Sequence, residues 1–375
     1  MNQVQNRTIL LNFLHYTALY ASRPYLSLLV EELGGSELEI GLIVSMYSLI
    51  QVATALLVGR WIAQSGTRVP AFFGSLCFLL GTTILMFISN LWLVCVASLL
   101  MGAGHGLILL CGQYNVTGIS DETLRTAAVG WLSFFNSVGT ALGPLLGGKL
   151  RDLFGAHYGF IGAVCFSLTT MIVACNSPRV QIHMVPQPQA HLRIKKPAAL
   201  NLFVSSVVFL AADVISVYLP RYTNQLGLSG VLTGAILSAV GIAQTTVRPF
   251  MGWLRKRYSI RQLLQKCLLI GGICVTVMGL ISAFGMLLLT ATLAGCAIGL
   301  ANPLTLLTVS SSVKATERSQ ILALRSMANY GAQALSPILF GTISASIGLA
   351  PVLWCGGGIL LAVGLTVRVL PGECY

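Results

Sequence analysis

The sequence predicts an all-α integral membrane protein with twelve transmembrane helices, arranged as two pseudo-symmetric six-helix bundles. Three observations support this fold class. Hydrophobic residues make up 55% of the 375 positions and charged residues only 9%, too few charges for the surface of a water-soluble domain. Apolar stretches of about twenty residues recur along the chain, as in polytopic helical membrane proteins. The two halves also repeat at a constant offset. The lipid bilayer is therefore the first expected partner.

Each apolar stretch is long enough to cross the hydrocarbon core of a bilayer. The expected spans are residues 8–30, 38–61, 70–88, 91–115, 127–148, 156–175, 198–220, 231–253, 263–284, 286–310, 320–345 and 349–369. The longest polar interruption is rich in cations and prolines and divides the spans into six and six. We therefore expect an N-terminal six-helix bundle at 1–175, a cytoplasmic linker at 176–197 and a C-terminal six-helix bundle at 198–375.

Lysine and arginine set the expected orientation, because cytoplasmic loops carry an excess of positive charge. With the N-terminus in the cytoplasm, the opposite side receives only Lys149, Arg151 and Arg221 from the loops. Both termini are therefore expected in the cytoplasm, in a multi-pass protein of the cell inner (plasma) membrane. The cations are scattered over separate loops and do not line one face, which argues against a nucleic-acid partner.

A constant shift of 193 residues maps the first half of the chain onto the second. It places Gln51 on Gln244, Asn136 on Asn329 and Pro144 on Pro337. Two parallel six-helix halves suit a transporter that works by rocking around a small-molecule substrate held near the bilayer midplane. One chain supplies both halves, so we expect the monomer to be functional.

The loop after the second span reads GRWIAQSGTR. In it, Gly59, Gly66 and Arg68 match the pattern G-x-x-x-D-R-x-G-R-[RK] of the major facilitator superfamily, which the chain resembles along its whole length. Ala63 and Gln64 replace the acidic and basic pair of that pattern, so the charge relay of this loop departs from the family form. The resemblance implies a secondary active transporter.

The fifth span reads GWLSFFNSVGTALGPLLGG. Glycines spaced by four residues let a neighbouring backbone approach closely, and proline bends a membrane helix. The span resembles the antiporter motif of the superfamily, G-x8-G-x3-G-P-x2-G-G, which implies a hinge and an exporter of the twelve-span drug/metabolite:proton antiporter branch. A plain packing seam is the alternative. The matching residues are Gly130, Gly139, Gly143, Pro144, Gly147 and Gly148.

The segment from Gly143 to Lys149 also satisfies G-x4-G-K, the spacing of a phosphate-binding loop. Leu150 replaces the required Ser or Thr and no strand precedes the segment, so we expect no nucleotide site. Transport is then expected to depend on an ion gradient, with protons as the coupling ion and no bound cofactor. The ten cysteines show no paired metal-ligand spacing, and no nucleophile and base pair suggests an enzyme.

Asp213 is the only acidic residue deep inside a predicted span, about 20 Å along the seventh helix at about 1.5 Å per residue. An ionisable group at that depth is costly unless it is paired or faces water, so we expect it to take up and release protons. The alternative is a structural partner for a buried arginine. His15 and His105 also titrate near neutral pH and are further proton-coupling candidates, although single histidines more often serve packing.

Arg23 is the expected partner of Asp213. It lies on a polar and aromatic stripe with Tyr16 and Tyr20 in the first span, and the 193-residue shift maps Tyr20 onto Asp213. We therefore expect Arg23 and Asp213 to share the outer half of a transport cavity. The alternative is that Arg23 snorkels to the outer interface near Glu31 and Glu32.

The remaining polar residues of the spans are candidates for the substrate cavity, with interhelical hydrogen bonding as the alternative. These cavity candidates are Tyr16, Tyr20, Gln51, Asn136, Gln244, Asn329 and Gln333. Arg248 and Arg325 lie within two turns of cytoplasmic loops, so both are expected to snorkel.

The sequence thus favours proton-coupled efflux of a small amphipathic compound or metabolite by alternating access. Two alternatives remain: a proton-coupled importer, and a non-transporting membrane receptor. The pattern does not encode which compound is carried, because specificity depends on a few cavity side chains.

Overall fold

The computed structural model describes residues 3–87, 90–119, 121–177, 196–313 and 318–367, and within them the regular structure is helical. Most of the expected linker, with Arg179, Arg193 and Lys195, lies outside the described residues. The helices are α1 (Gln3–Glu32), α2 (Glu37–Ser65), α3 (Arg68–Phe87), α4 (Leu91–Thr117), α5 (Glu122–Tyr158), α6 (Ile161–Cys175), α7 (Lys196–Gln225), α8 (Gly230–Thr246), α9 (Met251–Arg257), α10 (Ile260–Met278), α11 (Phe284–Ser311), α12 (Arg318–Ile347) and α13 (Leu349–Thr366).

These helices follow the twelve expected spans in order, because α8, a 3-10 turn at Arg248–Phe250 and α9 together occupy the eighth. Pro249 in that turn lacks a backbone N–H, which interrupts the helical hydrogen bonding. Within the described residues, eight segments are long and apolar enough to cross a membrane, and the bent pair α5 and α6 could form a ninth. Helices α1 and α12 have 30 residues each but are too polar to count among these eight apolar segments.

The fifth span is longer than expected. We expected helices at 127–148 and 156–175, whereas α5 extends to Tyr158 and the two axes meet at 96° across a short break before α6. Within α5, Gly155 alone has non-helical dihedrals, with a φ of 82° that suits glycine. Pro144 keeps helical dihedrals, so the backbone irregularity of this region lies eleven residues beyond the proline.

The backbone repeats the 193-residue offset in its turns. Gly34 and Gly227 have φ values of 79° and 74°, and Gly155 and Gly348 have values of 82° and 92°. Ser36 caps the first turn of α2 through a hydrogen bond from the Glu39 amide, and Ser229 likewise accepts from Leu232 at the start of α8. The repeat therefore extends to the positions where helices begin and end.

The chain forms two compact units. The first comprises residues 1–186 and 227–238. In it, α1 packs against α4, α5 and α6, and α3 packs against α4 and α6. Helices α2 and α4 also approach closely, because Gly102 faces the carbonyl group of Tyr47.

The second unit comprises residues 187–226 and 239–375. Helix α7 packs against α11, α12 and α13, and α10 packs against α11 and α13. A Cβ atom added at Gly295 would lie 2.8 Å from the carbonyl oxygen of Val240. Gly295 and Val240 correspond to Gly102 and Tyr47 under the 193-residue shift, so each unit uses the same glycine for the same helix contact.

Candidate functional site: buried polar clusters and a glycine seam

The two histidines singled out separately in the sequence lie together in the first unit. Nε2 of His15 on α1 lies 2.9 Å from Nδ1 of His105 on α4. The rings stack with centroids 5.2 Å apart, and the two residues are 1% and 8% exposed. Nδ1 of His15 is buried without a hydrogen-bond partner among the described residues. The pair can exchange or hold a proton between two nitrogen atoms shielded from solvent.

Aromatic side chains surround this histidine pair. The Phe78 ring lies 4.6 Å from His15, and the rings of Tyr16 and Tyr47 lie 5.8 and 5.9 Å from His105. Tyr16 also stacks on Tyr20 at 6.2 Å. The structure therefore brings His15, His105, Tyr16 and Tyr20 into one cluster, as candidates for a shared site.

Arg23 reaches the same cluster through Tyr47. Its Cζ atom lies 4.7 Å from the centre of the Tyr47 ring, a cation–π distance, and the residue is 8% exposed. This placement differs from snorkelling towards the outer interface. Glu32, near which that alternative would have placed Arg23, forms an ion pair with Arg151.

Tyr47 links the members of this cluster, although the sequence pattern did not indicate it. It contacts both His105 and Arg23, and its backbone carbonyl accepts a hydrogen bond of 3.0 Å from the Gln51 side chain. One signal was available, since Tyr47 lies one helical turn before Gln51 on the same face of α2.

Three glycines of the fifth span form a seam against α1. A Cβ atom at Gly139 would lie 2.9 Å from the Phe13 carbonyl oxygen, and one at Gly143 would lie 2.8 Å from that of Thr17. Gly147 faces the Ala21 carbonyl oxygen even more closely. The contacts advance by one turn on both helices, so the two backbones touch along about two turns. We name Gly139, Gly143 and Gly147 the glycine seam.

Gly130 does not belong to this seam. A Cβ atom there would meet nothing within 4 Å, although the residue matches the first fixed position of the motif. Gly148 faces the carbonyl group of Gly230 at the start of α8, and a Cβ atom there would also lie 2.8 Å from the Tyr25 hydroxyl of α1. The motif therefore combines residues with three different surroundings.

The first turn of α8 is also bound by a carboxylate. The two oxygens of Asp152, near the end of α5, each accept a hydrogen bond of 2.7 Å, one from the Gly230 amide and one from the Val231 amide. These N–H groups have no partner within their own helix, and the negative charge also suits a helix N-terminus. All three residues belong to the first unit.

Tyrosine and proline repeat one hydrogen bond in both units. The Tyr25 hydroxyl donates to the Pro144 carbonyl oxygen at 2.6 Å, and the Tyr218 hydroxyl donates to that of Pro337 at 2.8 Å. The seam itself is not repeated. Phe340 stands at the position equivalent to Gly147, and its ring lies 6.2 Å from that of Tyr218.

In the second unit, Asp213 on α7 is 1% exposed, so the acid expected to lie deep in the span is indeed buried. Asn329, 3% exposed, accepts a hydrogen bond of 3.1 Å from the Ser205 hydroxyl. The Gln244 backbone packs directly against Gly299, and Gln333 is half-buried on α12.

Two cavity candidates belong to the first unit's polar interior. Gln51 is 4% exposed, and its amide bonds to its own helix at Tyr47. Asn136 is half-buried, and its Oδ1 atom has no partner among the described residues. Asn136 therefore keeps a free acceptor that the other residues of its unit do not satisfy.

The model of the Major Facilitator Superfamily matches residues 8–282 and again residues 201–373, so the matches together extend over almost the whole chain. The chain belongs to the Major Facilitator Superfamily. It is accordingly a multi-span membrane transporter of small-molecule substrates and not an enzyme. The predicted fold class, with two six-helix bundles, is confirmed.

Superfamily relatives include two named multidrug resistance protein MdtG. The one from Salmonella choleraesuis (strain SC-B67) is 26% identical over 374 residues, covering 93% of this chain and 90% of the relative. The one from Dickeya zeae (strain Ech586) is 25% identical over 366 residues, covering 90% of this chain and 87% of the relative.

Two crystal structures of transporters share the fold. The nucleoside transporter NupG aligns with a TM-score of 0.83 at 13% identity, covering 99% of this chain and all of the other. The peptide transporter POT in complex with sulfate aligns with a TM-score of 0.80 at 17% identity, covering 98% and 94%. At such identities the likeness concerns the fold alone.

Proposed function

We propose that the protein exports small amphipathic compounds from the cytoplasm in exchange for protons, by alternating access. It acts as a monomer in the inner (plasma) membrane, with both termini in the cytoplasm. Two observations support the direction of transport: the antiporter motif of α5 and the similarity to proteins named for multidrug resistance. The surplus of Lys and Arg in the loops assigned to the cytoplasm supports the orientation.

Asp213 carries the proposal of proton coupling. It is the one fully buried Asp or Glu residue in the part of the chain that the structure describes. A buried carboxylate is costly when charged and inexpensive when protonated, so its protonation state can differ between the two states of a transport cycle. Arg23 remains a proposed participant in this coupling.

The His15–His105 pair is a second proposed proton site. Its two facing nitrogen atoms, 2.9 Å apart, allow one proton to lie between the rings without contact with water. Loss or gain of that proton would change the interaction between α1 and α4. Because α1 also carries the contacts to the glycine seam, a change at the pair can affect the seam.

Aromatic and amide side chains suit an amphipathic substrate. Tyr16 and Tyr20 offer stacked ring faces, and Asn136 offers a buried acceptor. Together with Gln51 they are the proposed contacts in the first unit, and Gln244, Asn329 and Gln333 are those proposed in the second.

The test is flux of fluorescent amphipathic dyes in vesicles of known orientation. With inside-out vesicles, an imposed outward proton gradient, with the lumen more acidic than the bath, should drive uptake of dye, and a protonophore should abolish it. Right-side-out vesicles that accumulate dye under an inward proton gradient would instead show an importer. A protein that binds dyes but never moves them would favour the receptor alternative.

A further inference from the structure

We propose that Arg325 binds the anionic group of a transported compound and that Asn302 accepts a hydrogen bond from the same compound. This inference deepens the proposed function, on which it rests, by assigning a substrate class: small compounds with a carboxylate or similar anion next to an N–H or O–H donor. The site consists of Phe209 on α7, Asn302 and Thr305 on α11, and Arg325 on α12, all within the second unit.

Arg325 does not snorkel as expected from its position near a loop. Its Nη2 atom donates to the Asn302 carbonyl oxygen at 3.2 Å and to the Thr305 hydroxyl at 3.1 Å. The Thr305 hydroxyl in turn donates its own hydrogen to the Asn302 carbonyl at 2.9 Å, so the lone pairs of the Thr305 oxygen face the guanidinium. The Phe209 ring lies 5.8 Å from Cζ. Contacts with two neighbouring helices, α7 and α11, therefore hold the guanidinium in a defined place.

These contacts do not neutralise the charge. Both hydrogen-bond acceptors are neutral, and among the described residues no carboxylate lies within ion-pair distance of Arg325. Its Nε atom is buried and donates to no acceptor there. Because a partly buried cation is costly without a counter-ion, the site favours an anion that also accepts the Nε hydrogen.

Asn302 adds a group of opposite character. Its Oδ1 atom is buried and accepts no hydrogen bond from the described residues. More than about 90% of buried polar groups in proteins have a partner, so an orphan acceptor on the residue whose backbone carbonyl binds Arg325 is unusual. One compound with an anionic group and an adjacent N–H or O–H would satisfy both, and Phe209 offers an apolar surface to its remainder.

The alternative is that Arg325 only ties α12 to α11. A structural tie would affect the binding of every ligand and the thermal stability alike, whatever the charge of the ligand. A binding residue would instead affect anionic ligands selectively. The two roles are therefore separated by probes of equal shape and different charge.

The experiment measures binding of three naphthalene probes to the purified full-length protein in nanodiscs: 2-naphthoate, its methyl ester and 2-naphthylmethylammonium. Arg325→Gln should weaken naphthoate binding about 10- to 100-fold, the range expected for a hydrogen bond to a charged group, and leave the ester unchanged. Arg325→Lys should fall between, because an ammonium group lacks the planar arrangement of donors. Arg248→Gln, which alters an exposed arginine of the 3-10 turn, is the control.

Asn302→Asp provides a second test that keeps the side-chain size. The new carboxylate would occupy Arg325 from within the protein, so naphthoate binding should be lost while thermal stability is kept. Equal weakening of naphthoate and ester in Arg325→Gln, or unchanged naphthoate binding in both variants, would overturn the proposal. Should the wild type bind naphthoate through Arg325 yet show no proton-driven flux, the proposed function would fail while the anion-binding site at Arg325 would stand.

Discussion

Nε2 of His15 lies 2.9 Å from Nδ1 of His105, which joins α1 to α4 across 90 residues of sequence. For two neutral rings, one nitrogen donates and the other accepts, so each histidine fixes the tautomer of the other. Tyr16, the residue after His15 on α1, also faces His105 with its ring. The pair therefore fixes this part of α1 against α4. A small change at either imidazole thus affects two helices.

The first prediction concerns the energy of this pair. Replacing His105 by Leu should lower the free energy of unfolding by about 1–3 kcal/mol, because Nε2 of His15 then stays buried without a partner. The double variant with His15→Leu should cost less than the sum of the two single variants, since no orphan polar group remains. Unfolding of the three variants in detergent provides the measurement. Strictly additive losses would show that the two rings do not interact.

The glycine seam makes a second prediction possible with an internal control. Gly147→Ala should insert normally but slow transport at least tenfold, because its Cβ atom would collide with the Ala21 carbonyl group. Gly130→Ala, on the same helix, meets open space and should transport like the wild type. Both changes raise helix propensity by about 1 kcal/mol, so propensity cannot explain a difference. Normal dye flux in well-inserted Gly147→Ala protein would refute the hinge role.

Asp213 gives the third prediction. Asp213→Asn should insert and still bind dye, but dye flux should no longer respond to an imposed pH gradient, because a permanently neutral side chain cannot release a proton. Asp213→Glu should retain part of the response. The measurement is pH-driven flux in proteoliposomes, with binding assayed separately. If Asp213→Asn keeps the wild-type response, the coupling site lies elsewhere, and His15 and His105 become the residues to test.

Asp152 supplies a fourth prediction, on stability. Asp152→Ala should destabilise the protein by about 1 kcal/mol, since the Gly230 and Val231 amides lose their acceptor. Asp152→Asn should cost less, because it keeps one acceptor and loses the charge. Thermal unfolding of both variants at low and high salt separates the contribution of the hydrogen bonds from that of the negative charge. Only the contribution of the charge should shrink as the salt concentration rises. Identical stability of Asp152→Ala and wild type would contradict the role of the carboxylate.

The orientation yields a fifth prediction. A single cysteine introduced at position 193 into a cysteine-free background should react with impermeant maleimide only after the cytoplasmic face is exposed. A cysteine at position 149, on the part of α5 assigned to the opposite face, is the matched control and should react in intact cells. Labelling at 193 from outside intact cells would reverse the assigned topology.

Much of the fold was predictable because the bilayer imposes a single length scale on every span. The start of α2 at Glu37 and that of α11 at Phe284 lie within two residues of the expected positions. The continuation of α5 to Tyr158 was not expected, since Lys149, Arg151 and Asp152 give this segment the charge typical of a loop. Apolarity therefore locates the spans well but does not show where a helix continues beyond the membrane.

The sites were less predictable than the fold. The contact between His15 and His105 depends on how α1 and α4 pack, and no local spacing in the sequence encodes it. The motif of α5 likewise identifies its glycines but not the face each one occupies, so Gly130 and Gly147 appear equivalent until their surroundings are compared. Arg325 was assigned to the interface from its distance to a loop, whereas Asn302 and Thr305 hold it inside.

The repeated Tyr–Pro hydrogen bond shows which parts of a duplicated protein have stayed the same and which have diverged. The bond from Tyr25 to Pro144 and its copy from Tyr218 to Pro337 are matched, yet the residues of chemical interest are not. Val208 and Ile298 stand at the positions equivalent to His15 and His105, and Leu132 stands at the one equivalent to Arg325. The two copies thus preserve a common skeleton, while each has acquired a chemistry that the other lacks. Exchanging side chains between equivalent positions is therefore expected to leave the architecture intact and move the chemistry from one half to the other.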